Sequence, residues 1–209
     1  MTDRKTVFLT GATGNMGWAG FQELYKKGKF NIRLLARDSR KNHKKLDRYE
    51  SDPYVTVIWG DLTRYEDVLE GVKGSDYVLH VGGMVSPAAD YYPEKTLKVN
   101  VAAAENVVKA VLAQPHKDDI KVVYIGSVAQ YGDRNPPIHW GGADEPQTPA
   151  KYDMYALSKI RSEQVFAEAG LAHWVTLRQT GILYPGILSV VNPTAFHVPM
   201  GGVLEWATI

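Results

Sequence analysis

A glycine-rich turn directly after an apolar run is the feature of this chain that most constrains its fold. The run Val-Phe-Leu-Thr leads into Gly-Ala-Thr-Gly-Asn-Met-Gly, which places glycines at Gly11, Gly14 and Gly17. A turn whose backbone must approach a pyrophosphate has no room for Cβ atoms at such positions. A helix that opens at about Asn15 would direct its free N–H groups and positive dipole end toward the phosphates. The pattern therefore predicts a strand–turn–helix unit that binds a dinucleotide, although glycine-rich turns also arise for structural reasons alone.

Length and composition limit the remaining classes of protein. The 209 residues are enough for one domain or slightly more, and 44% of them are hydrophobic, which allows a sizeable core. The net charge of +1 gives no electrostatic indication of nucleic-acid binding. No stretch approaches the ~20 apolar residues of a membrane span. The chain lacks cysteine, which excludes disulfides, thiolate zinc sites and a cysteine nucleophile and fits a cytoplasmic protein; no metal site is expected.

Short β-branched segments alternate with helical patterns, which predicts an α/β fold with a parallel sheet covered by helices on both faces. Strands are expected at Thr6–Thr10, Ile32–Ala36, Val55–Trp59, Tyr77–Val81, Lys121–Gly126 and His173–Arg178. Helices are expected at Met16–Lys27, Lys41–Tyr49, Tyr65–Leu69, Pro93–Ala113 and Tyr152–Ala169. The Pro- and Gly-rich stretch Gly132–Ala150 is expected to be a loop. We expect residues 1–183 to form a dinucleotide-binding domain and residues 184–209 to begin a substrate-binding region that is incomplete.

The residues after the second strand bear on which dinucleotide is expected. An NAD site normally places an acidic residue at this tip to bind the ribose 2′-hydroxyl. This chain has Ala36 and then Arg37, and Arg37 with Arg40 or Lys41 could clamp a 2′-phosphate. The sequence therefore favours NADP(H). NAD(H) stays open, because a shift of one residue would make Asp38 the ribose ligand.

Further positions fit a dinucleotide site. The carboxylate of Asp61, after the third strand, could accept a hydrogen bond from an adenine amino group or simply cap the next helix. Gly82 and Gly83 follow the fourth strand, where small residues let a ligand approach the backbone. His80 is interpreted as a structural residue. Asn100 lies inside a long helix, where asparagine has poor propensity, so we expect it to have a partner.

The catalytic candidate is a Tyr-x-x-x-Lys pair in the helix after the fifth strand. Tyr155 and Lys159 share one face of that helix. A tyrosine with a pKa of about 10 is a poor base, but a neighbouring ammonium and an oxidised nicotinamide would lower its pKa. The hydroxyl of Ser127, directly after the fifth strand, could orient a carbonyl or alcohol, or could belong to an ordinary turn. Chance matches to Tyr-x-x-x-Lys are common, and the position of this one in the chain is what supports it.

Together these motifs resemble the extended short-chain dehydrogenase/reductases, in particular the NAD-dependent epimerase/dehydratase-like family, over about residues 5–185. The resemblance implies a Rossmann-type, doubly wound sheet. It also implies that Tyr155 is the acid/base, that Lys159 binds the nicotinamide ribose and lowers the pKa of Tyr155, and that Ser127 is the third catalytic group. The motifs and the resemblance together predict cofactor contacts at Gly11, Thr13, Gly14, Asn15, Met16, Gly17, Arg37, Asp61, Leu62, Val81, Gly82, Gly83, Asn100, Tyr155, Lys159, Gln179, Gly181 and Ile182. Gln179 departs from the family, which usually has proline there. Substrate contacts are predicted at Met84, Ser86 and Ser127.

The resemblance implies an NAD(P)-dependent oxidoreductase that moves a hydride between the cofactor, with NADPH favoured, and a carbonyl or secondary alcohol. Two alternatives stay open: a nucleotide-sugar epimerase with tightly held NAD, and a non-catalytic NADP-binding sensor or scaffold. Dehydration is disfavoured, because Val128 and Ala129 stand where related 4,6-dehydratases have an acidic pair. The expected partner is a small carbonyl, alcohol or sugar nucleotide. A homodimer is implied through the helices around Leu97–Val111 and Leu157–Phe166.

Overall fold

One sheet organises the part of the chain that the computed structural model describes, which is residues 4–86, 88–133 and 142–182. Its strands are β1 (Lys5–Thr10), β2 (Phe30–Ala36), β3 (Val55–Trp59), β4 (Tyr77–His80), β5 (Lys121–Ser127) and β6 (His173–Gln179). Their order in the sheet is β3-β2-β1-β4-β5-β6, and the pairs from β3 through β5 are parallel. The strand order reverses between β1 and β4, so this is the predicted doubly wound, Rossmann-type sheet.

Helices connect the strands close to the predicted positions. They are α1 (Asn15–Lys27), α2 (Arg40–Glu50), α3 (Tyr65–Val72), α4 (Ala88–Tyr91), α5 (Pro93–Leu112) and α6 (Met154–Glu168), with 3₁₀ helices at Lys117–Asp119 and Val128–Tyr131. The sequence missed α4 and both 3₁₀ helices, because each is too short to produce a periodic pattern. None of the helices in the described ranges is long and apolar enough to cross a membrane.

Apolar side chains cover both faces of the sheet, as predicted. On one face, Phe8 of β1 packs in a buried cluster with Val107 of α5 and Phe166 of α6. On the other face, Leu34 of β2 packs in a second cluster with Phe21 of α1. All of these side chains are fully buried. This packing holds the carboxyl ends of the strands at one edge, where open α/β sheets bind ligands.

The chain divides into two compact units, residues 1–178 and 179–209. The first unit contains the sheet up to Arg178 together with α1 to α6. The second unit is described only at residues 179–182, of which Gln179 ends β6. The predicted boundary at residue 183 and the predicted substrate region 184–209 lie outside the described residues. Within the predicted loop 132–150, the described residues 132–133 and 142–150 contain neither helix nor strand.

Candidate active site

The turn between β1 and α1 is tight enough to require glycine. Gly11 has a φ of 74°, and a Cβ added there would lie 2.7 Å from the Cα of Gly82. A Cβ on Gly17 would lie 2.1 Å from the carbonyl oxygen of Gly11. Gly14 is the N-cap of α1 and provides no side-chain hydrogen bond to the first turn. The turn therefore presents closely packed backbone and uncapped helix N–H groups, which is the geometry that a pyrophosphate needs.

A buried pair of side chains joins the carboxyl ends of β1 and β4 beside this turn. The Oγ1 of Thr10 lies 2.9 Å from Nδ1 of His80 and accepts hydrogen bonds from the N–H groups of Val81 at 3.1 Å and Gly82 at 3.0 Å. Because its lone pairs are used, the hydroxyl donates to His80, whose neutral ring then has its proton on Nε2. Burial lowers the pKa of His80 to about 3, in agreement with a neutral ring. His80 thus has a structural role and fixes the backbone that packs against Gly11.

The residues predicted for the adenosine end lie after β2 and β3. The Oδ1 of Asp61 accepts hydrogen bonds from the N–H of Thr63 at 2.8 Å and from its hydroxyl at 2.7 Å, which forms the turn before α3. Burial raises the pKa of Asp61, but these bonds and the charge of Arg37 outweigh it and hold the pKa below its ordinary value. Asp61 is therefore ionised and within the electrostatic reach of Arg37. The side chain of Leu62 lies close to the loop after β4, because a Cβ added to Gly82 in that loop would lie 2.6 Å from the Cδ1 of Leu62.

Arg37 and Asp38 are both exposed, and α2 contacts them differently. The Nδ2 of Asn42 donates to the backbone carbonyl oxygen of Arg37 at 2.7 Å, whereas Asp38 is held through its side chain. The Oδ1 of Asp38 lies 2.9 Å from Nε2 of His43, whose ring stacks on Trp59 with the centroids 3.8 Å apart. The hydrogen bond to Asp38 raises the pKa of His43 above its ordinary value, which favours the charged imidazolium. The sequence missed His43. Because β2 ends at Ala36, Arg37 is the first side chain beyond the strand, and Asp38 is tied to α2.

The structure brings the three predicted catalytic residues together. Ser127 is the last residue of β5, while Tyr155 and Lys159 lie in the first turns of α6. The side chain of Ser127 interacts with the phenol of Tyr155 and acts to lower its pKa. The Nζ of Lys159 lies 5.8 Å from the centre of the Tyr155 ring and donates to the carbonyl oxygen of Ile125 at 2.8 Å. A phenol, a hydroxyl and a buried ammonium thus share one place at the carboxyl end of β5.

Burial has the largest effect on the pKa values of Tyr155 and Lys159. Burial raises the pKa of Tyr155, the hydrogen bond with Ser127 opposes that change, and the charge of Asp153 adds to it, so the pKa lies above its ordinary value. Burial lowers the pKa of Lys159 to about 8, which leaves the ammonium largely protonated at pH 7. That Lys159 lowers the pKa of Tyr155 stays a prediction, because it concerns the site with its cofactor bound. With its pKa raised, the phenol of Tyr155 is neutral at pH 7 and suited to donating a proton.

Asn100 has the partners that its position inside α5 predicted. Its Nδ2 donates to the Oγ of Ser158 at 2.9 Å and to the carbonyl oxygen of Met84 at 3.0 Å, and its Oδ1 accepts from the N–H of Met84 at 2.7 Å. A Cβ on Gly83 would lie 3.0 Å from Oδ1. Ser158 in turn donates to the carbonyl oxygen of Tyr155 at 2.7 Å. Asn100 therefore ties the loop after β4 to the helix that carries the tyrosine, and a cofactor contact by Asn100 stays a prediction.

The remaining predicted contacts stay predictions as well. Ser86 is exposed, and its hydroxyl donates to Oδ1 of Asp90 at 2.9 Å. Gln179, Gly181 and Ile182 belong to the second compact unit, of which only residues 179–182 are described.

The sequence missed a buried carboxylate on α6, the helix that carries Tyr155 and Lys159. Glu163 lies one turn beyond Lys159, is 7% exposed and forms an ion pair with Arg178 of β6. The signal was present in the sequence, because positions 155, 159 and 163 share one helix face and an acidic residue on a buried face requires a partner. Arg178 supplies that partner, but only the fold places it next to α6.

Comparison with known proteins agrees with this geometry. Residues 7–182 match the model of the NAD dependent epimerase/dehydratase family. A UDP-glucose 4-epimerase from Rickettsia conorii is 32% identical over 113 residues, which are 52% of this chain and 33% of the relative. The match thus spans about a third of the length of the curated relatives.

Solved structures share the fold. The Bordetella bronchiseptica enzyme WbmH, in complex with NAD⁺, has a TM-score of 0.72 and 23% identity over 91% of this chain and 60% of its own. The UDP-N-acetylglucosamine 4-epimerase from Methanobrevibacter ruminantium has a TM-score of 0.69 and 24% identity over 85% of this chain and 55% of its own. The family match covers most of the described residues, including the glycine turn and the tyrosine–lysine pair. This chain belongs to the NAD-dependent epimerase/dehydratase family.

Proposed function

We propose that this chain binds a nicotinamide dinucleotide and transfers a hydride between it and a carbonyl or secondary alcohol, with Tyr155 as the acid/base. The observation that carries the proposal is the meeting of Ser127, Tyr155 and Lys159 at the carboxyl end of β5. The same edge of the sheet holds the glycine turn after β1. Residues 1–183 would bind the dinucleotide, and residues 184–209 would begin the region that binds the substrate.

The residues at this edge fit a dinucleotide. A Cβ would fill the turn at Gly11 and Gly17, so glycine leaves room there for a pyrophosphate to approach the backbone. Arg37 and Asp61 would bind the adenosine end, and Lys159 would bind the nicotinamide ribose. The bound cofactor would supply the hydride donor or acceptor.

The chain's own residues would control the proton. In the direction of reduction, the neutral phenol of Tyr155 donates its proton to the substrate oxygen, and the hydroxyl of Ser127 orients that oxygen. In the reverse direction Tyr155 must act as a base. Lowering its pKa from the ordinary value of about 10 to about 7 requires ~4 kcal/mol of preferential stabilisation of the phenolate, and burial adds to that requirement. The ammonium of Lys159 and a positively charged cofactor can supply this in a site that excludes water.

NADP(H) is the cofactor that we favour, because Arg37 is the first side chain beyond β2 and Asp38 is engaged by His43. NAD(H) stays the alternative, and it is the cofactor bound in the Bordetella enzyme.

A sugar nucleotide is the substrate class that the comparisons favour, because the Rickettsia relative is a UDP-glucose 4-epimerase. An epimerase oxidises and re-reduces one carbon, so it consumes no net cofactor, whereas a reductase does. The pair Val128 and Ala129 after Ser127 provides no carboxylic acid to expel water, which disfavours dehydration.

The deciding experiment is incubation with UDP-galactose and either NAD⁺ or NADP⁺, followed by absorbance at 340 nm and by chromatography of the sugar nucleotides. UDP-glucose without a change in absorbance indicates epimerisation, and a change in absorbance indicates net oxidation. Tyr155→Phe should abolish either activity while the cofactor still binds. Activity that survives this substitution would contradict the role of Tyr155. Cofactor binding without turnover on any carbonyl or alcohol tested would favour the non-catalytic alternative.

The homodimer that the family resemblance implies would use α5 and α6. These helices pack against each other within the chain, so their apolar faces are already partly used. Sedimentation velocity measures the oligomeric state directly.

A further inference from the structure

A chain of buried hydrogen bonds leads from the backbone of Ser127 to the catalytic helix. The N–H of Ser127 donates to Oε1 of Gln130 at 2.8 Å, and Nε2 of Gln130 donates to Oε2 of Glu163 at 2.9 Å. Gln130 is 0% exposed. Because both ends of the amide have partners of fixed polarity, the side chain has one allowed orientation. The orientation of Gln130 therefore depends on Glu163 as an acceptor.

Glu163 is itself fixed by β6. The hydroxyl of Thr176 and the Nε of Arg178 each donate to its Oε2 at 3.1 Å, and the Nη2 of Arg178 pairs with its Oε1. Burial raises the pKa of Glu163, but the hydrogen bonds from Arg178, Gln130 and Thr176 outweigh it and hold the pKa below its ordinary value. The carboxylate is thus ionised, and its charge is matched by a guanidinium. Removing a charge from such a pair leaves the other charge without compensation.

The same pair anchors the segment that leads into α6. The Nη1 of Arg178 donates to the hydroxyl of Tyr131 and to the carbonyl oxygen of Ala143, at 2.5 Å and 2.8 Å. The hydroxyl of Tyr131 donates to the carbonyl oxygen of Gly142 at 3.0 Å, and Thr148 donates to the carbonyl oxygen of Tyr131 at 2.9 Å. The Glu163–Arg178 pair therefore anchors both the 3₁₀ helix after Ser127 and the segment around residues 142–148.

We propose that Glu163 is a positioning residue, which acts through Gln130 to hold the hydroxyl of Ser127 against Tyr155. The role of Ser127 toward Tyr155 rests on the proposed function. The Oγ of Ser127 accepts from the N–H of Ala129 at 3.2 Å, and its proton remains for Tyr155. When Gln130 turns away, the N–H of Ser127 loses its acceptor and the end of β5 is released. The hydroxyl of Ser127 is then no longer held beside the phenol of Tyr155.

The first test compares Glu163→Gln with Glu168→Gln, the same change at an exposed position on the same helix. With the cofactor in place, we expect Glu163→Gln to lower kcat by about 10- to 100-fold, as a small misplacement of a reacting group does. The Kd for the cofactor should change little, and Glu168→Gln should behave as wild type. In a Ser127→Ala background the loss caused by Glu163→Gln should disappear. A loss of equal size in both backgrounds would overturn the proposal.

The second test needs no turnover. The Ser127 hydrogen bond lowers the pKa of Tyr155, so releasing Ser127 should raise that pKa. Tyrosines labelled with ¹³C at Cζ report it by NMR, and Tyr155→Phe assigns the signal. We expect Ser127→Ala, Glu163→Gln and Gln130→Met to shift the Tyr155 titration to higher pH alike. Gln130→Met leaves the ion pair with Arg178 intact, which guards against a folding defect.

The two tests separate the two proposals. An unchanged Tyr155 titration in both Glu163→Gln and Gln130→Met overturns the positioning role, whatever the enzyme turns over. If the variants shift the Tyr155 titration but the wild-type protein is inactive on every carbonyl and alcohol tested, the positioning role is supported and the proposed function is contradicted.

Discussion

The Oγ1 of Thr10 and the Nδ1 of His80 lie 2.9 Å apart in a pair that water does not reach. Thr10 ends β1 and His80 ends β4, so the pair joins the carboxyl ends of the two neighbouring strands between which the strand order reverses. Its hydrogen bonds to the N–H groups of Val81 and Gly82 hold the loop after β4 against the glycine turn. The pair works only while the imidazole is neutral, which makes the site sensitive to acid.

Acid should therefore destabilise the fold through His80. Burial lowers its pKa to about 3, from 6.5 in the unfolded chain, so the unfolded state binds more protons between these values. The contribution of neutral His80 to the free energy of unfolding is fully present above pH 6.5. It falls as the pH decreases, by about 2 to 3 kcal/mol at pH 4.5. Urea unfolding should show His80→Gln to be less stable than wild type at pH 7, with the difference shrinking by that amount at pH 4.5.

The exposed histidine His173 provides the control for this measurement. His173→Gln should follow the wild-type pH dependence. Parallel curves for wild type and His80→Gln would show that His80 does not titrate in the transition.

Much of the fold could be predicted because buried parallel strands are continuous apolar runs bounded by turn residues. The first strand was predicted at Thr6–Thr10 and is observed at Lys5–Thr10, with its last four residues buried. The start of α6 was predicted two residues early, since the side chain of Asp153 caps the helix by accepting from the N–H of Ala156 at 2.8 Å. A side chain that caps a helix marks its first turn more sharply than periodicity does.

The candidate catalytic residues could be located from local spacing, but their environment could not. The pattern Ser-x-x-Gln at 127–130 is a capping box, so it could have indicated Gln130. The partner of Gln130 is Glu163, 33 residues later, and the partner of Glu163 lies on a different strand. Such pairings depend on the packing of β6 against α6. The raised pKa of Tyr155 has the same origin, because burial is a property of the tertiary structure.

Alkaline pH should stabilise the free protein through Lys159. Burial lowers its pKa to about 8, from 10.5 in the unfolded chain, so the unfolded state again binds more protons between these values and stability rises with pH. Between pH 7.5 and pH 9.5 the wild type should gain about 2 kcal/mol relative to Lys159→Met in urea unfolding. Lys98, which is exposed, provides the control, and Lys98→Met should change nothing. A pH-independent difference between wild type and Lys159→Met would mean that the ammonium is well solvated.

Two alanine substitutions in α1 should have opposite effects. In Gly17→Ala the new Cβ would lie 2.1 Å from the carbonyl oxygen of Gly11, so the turn must open and cofactor affinity should be lost together with stability. In Gly20→Ala the Cβ meets nothing within 4 Å, and the gain in helix propensity should stabilise the protein by up to about 1 kcal/mol with unchanged affinity. Thermal unfolding and fluorescence titration with NADPH measure both effects. Normal affinity in Gly17→Ala would contradict the assignment of this turn to the phosphates.

Removal of Arg37 should discriminate between the two dinucleotides. A charge-assisted hydrogen bond to a phosphate contributes about 1.5 to 3 kcal/mol, so Arg37→Ala should weaken NADPH binding by about 10- to 100-fold and leave NADH binding nearly unchanged. Lys44→Ala, at an exposed position in α2, is the matched control and should weaken neither. Asp38→Asn tests the alternative, because a ribose ligand at this position would make NADH affinity fall instead. Equal affinities for NADPH and NADH that Arg37→Ala leaves unchanged would make the preference for NADP(H) wrong, and a fall in NADH affinity in Asp38→Asn would identify NAD(H) as the cofactor.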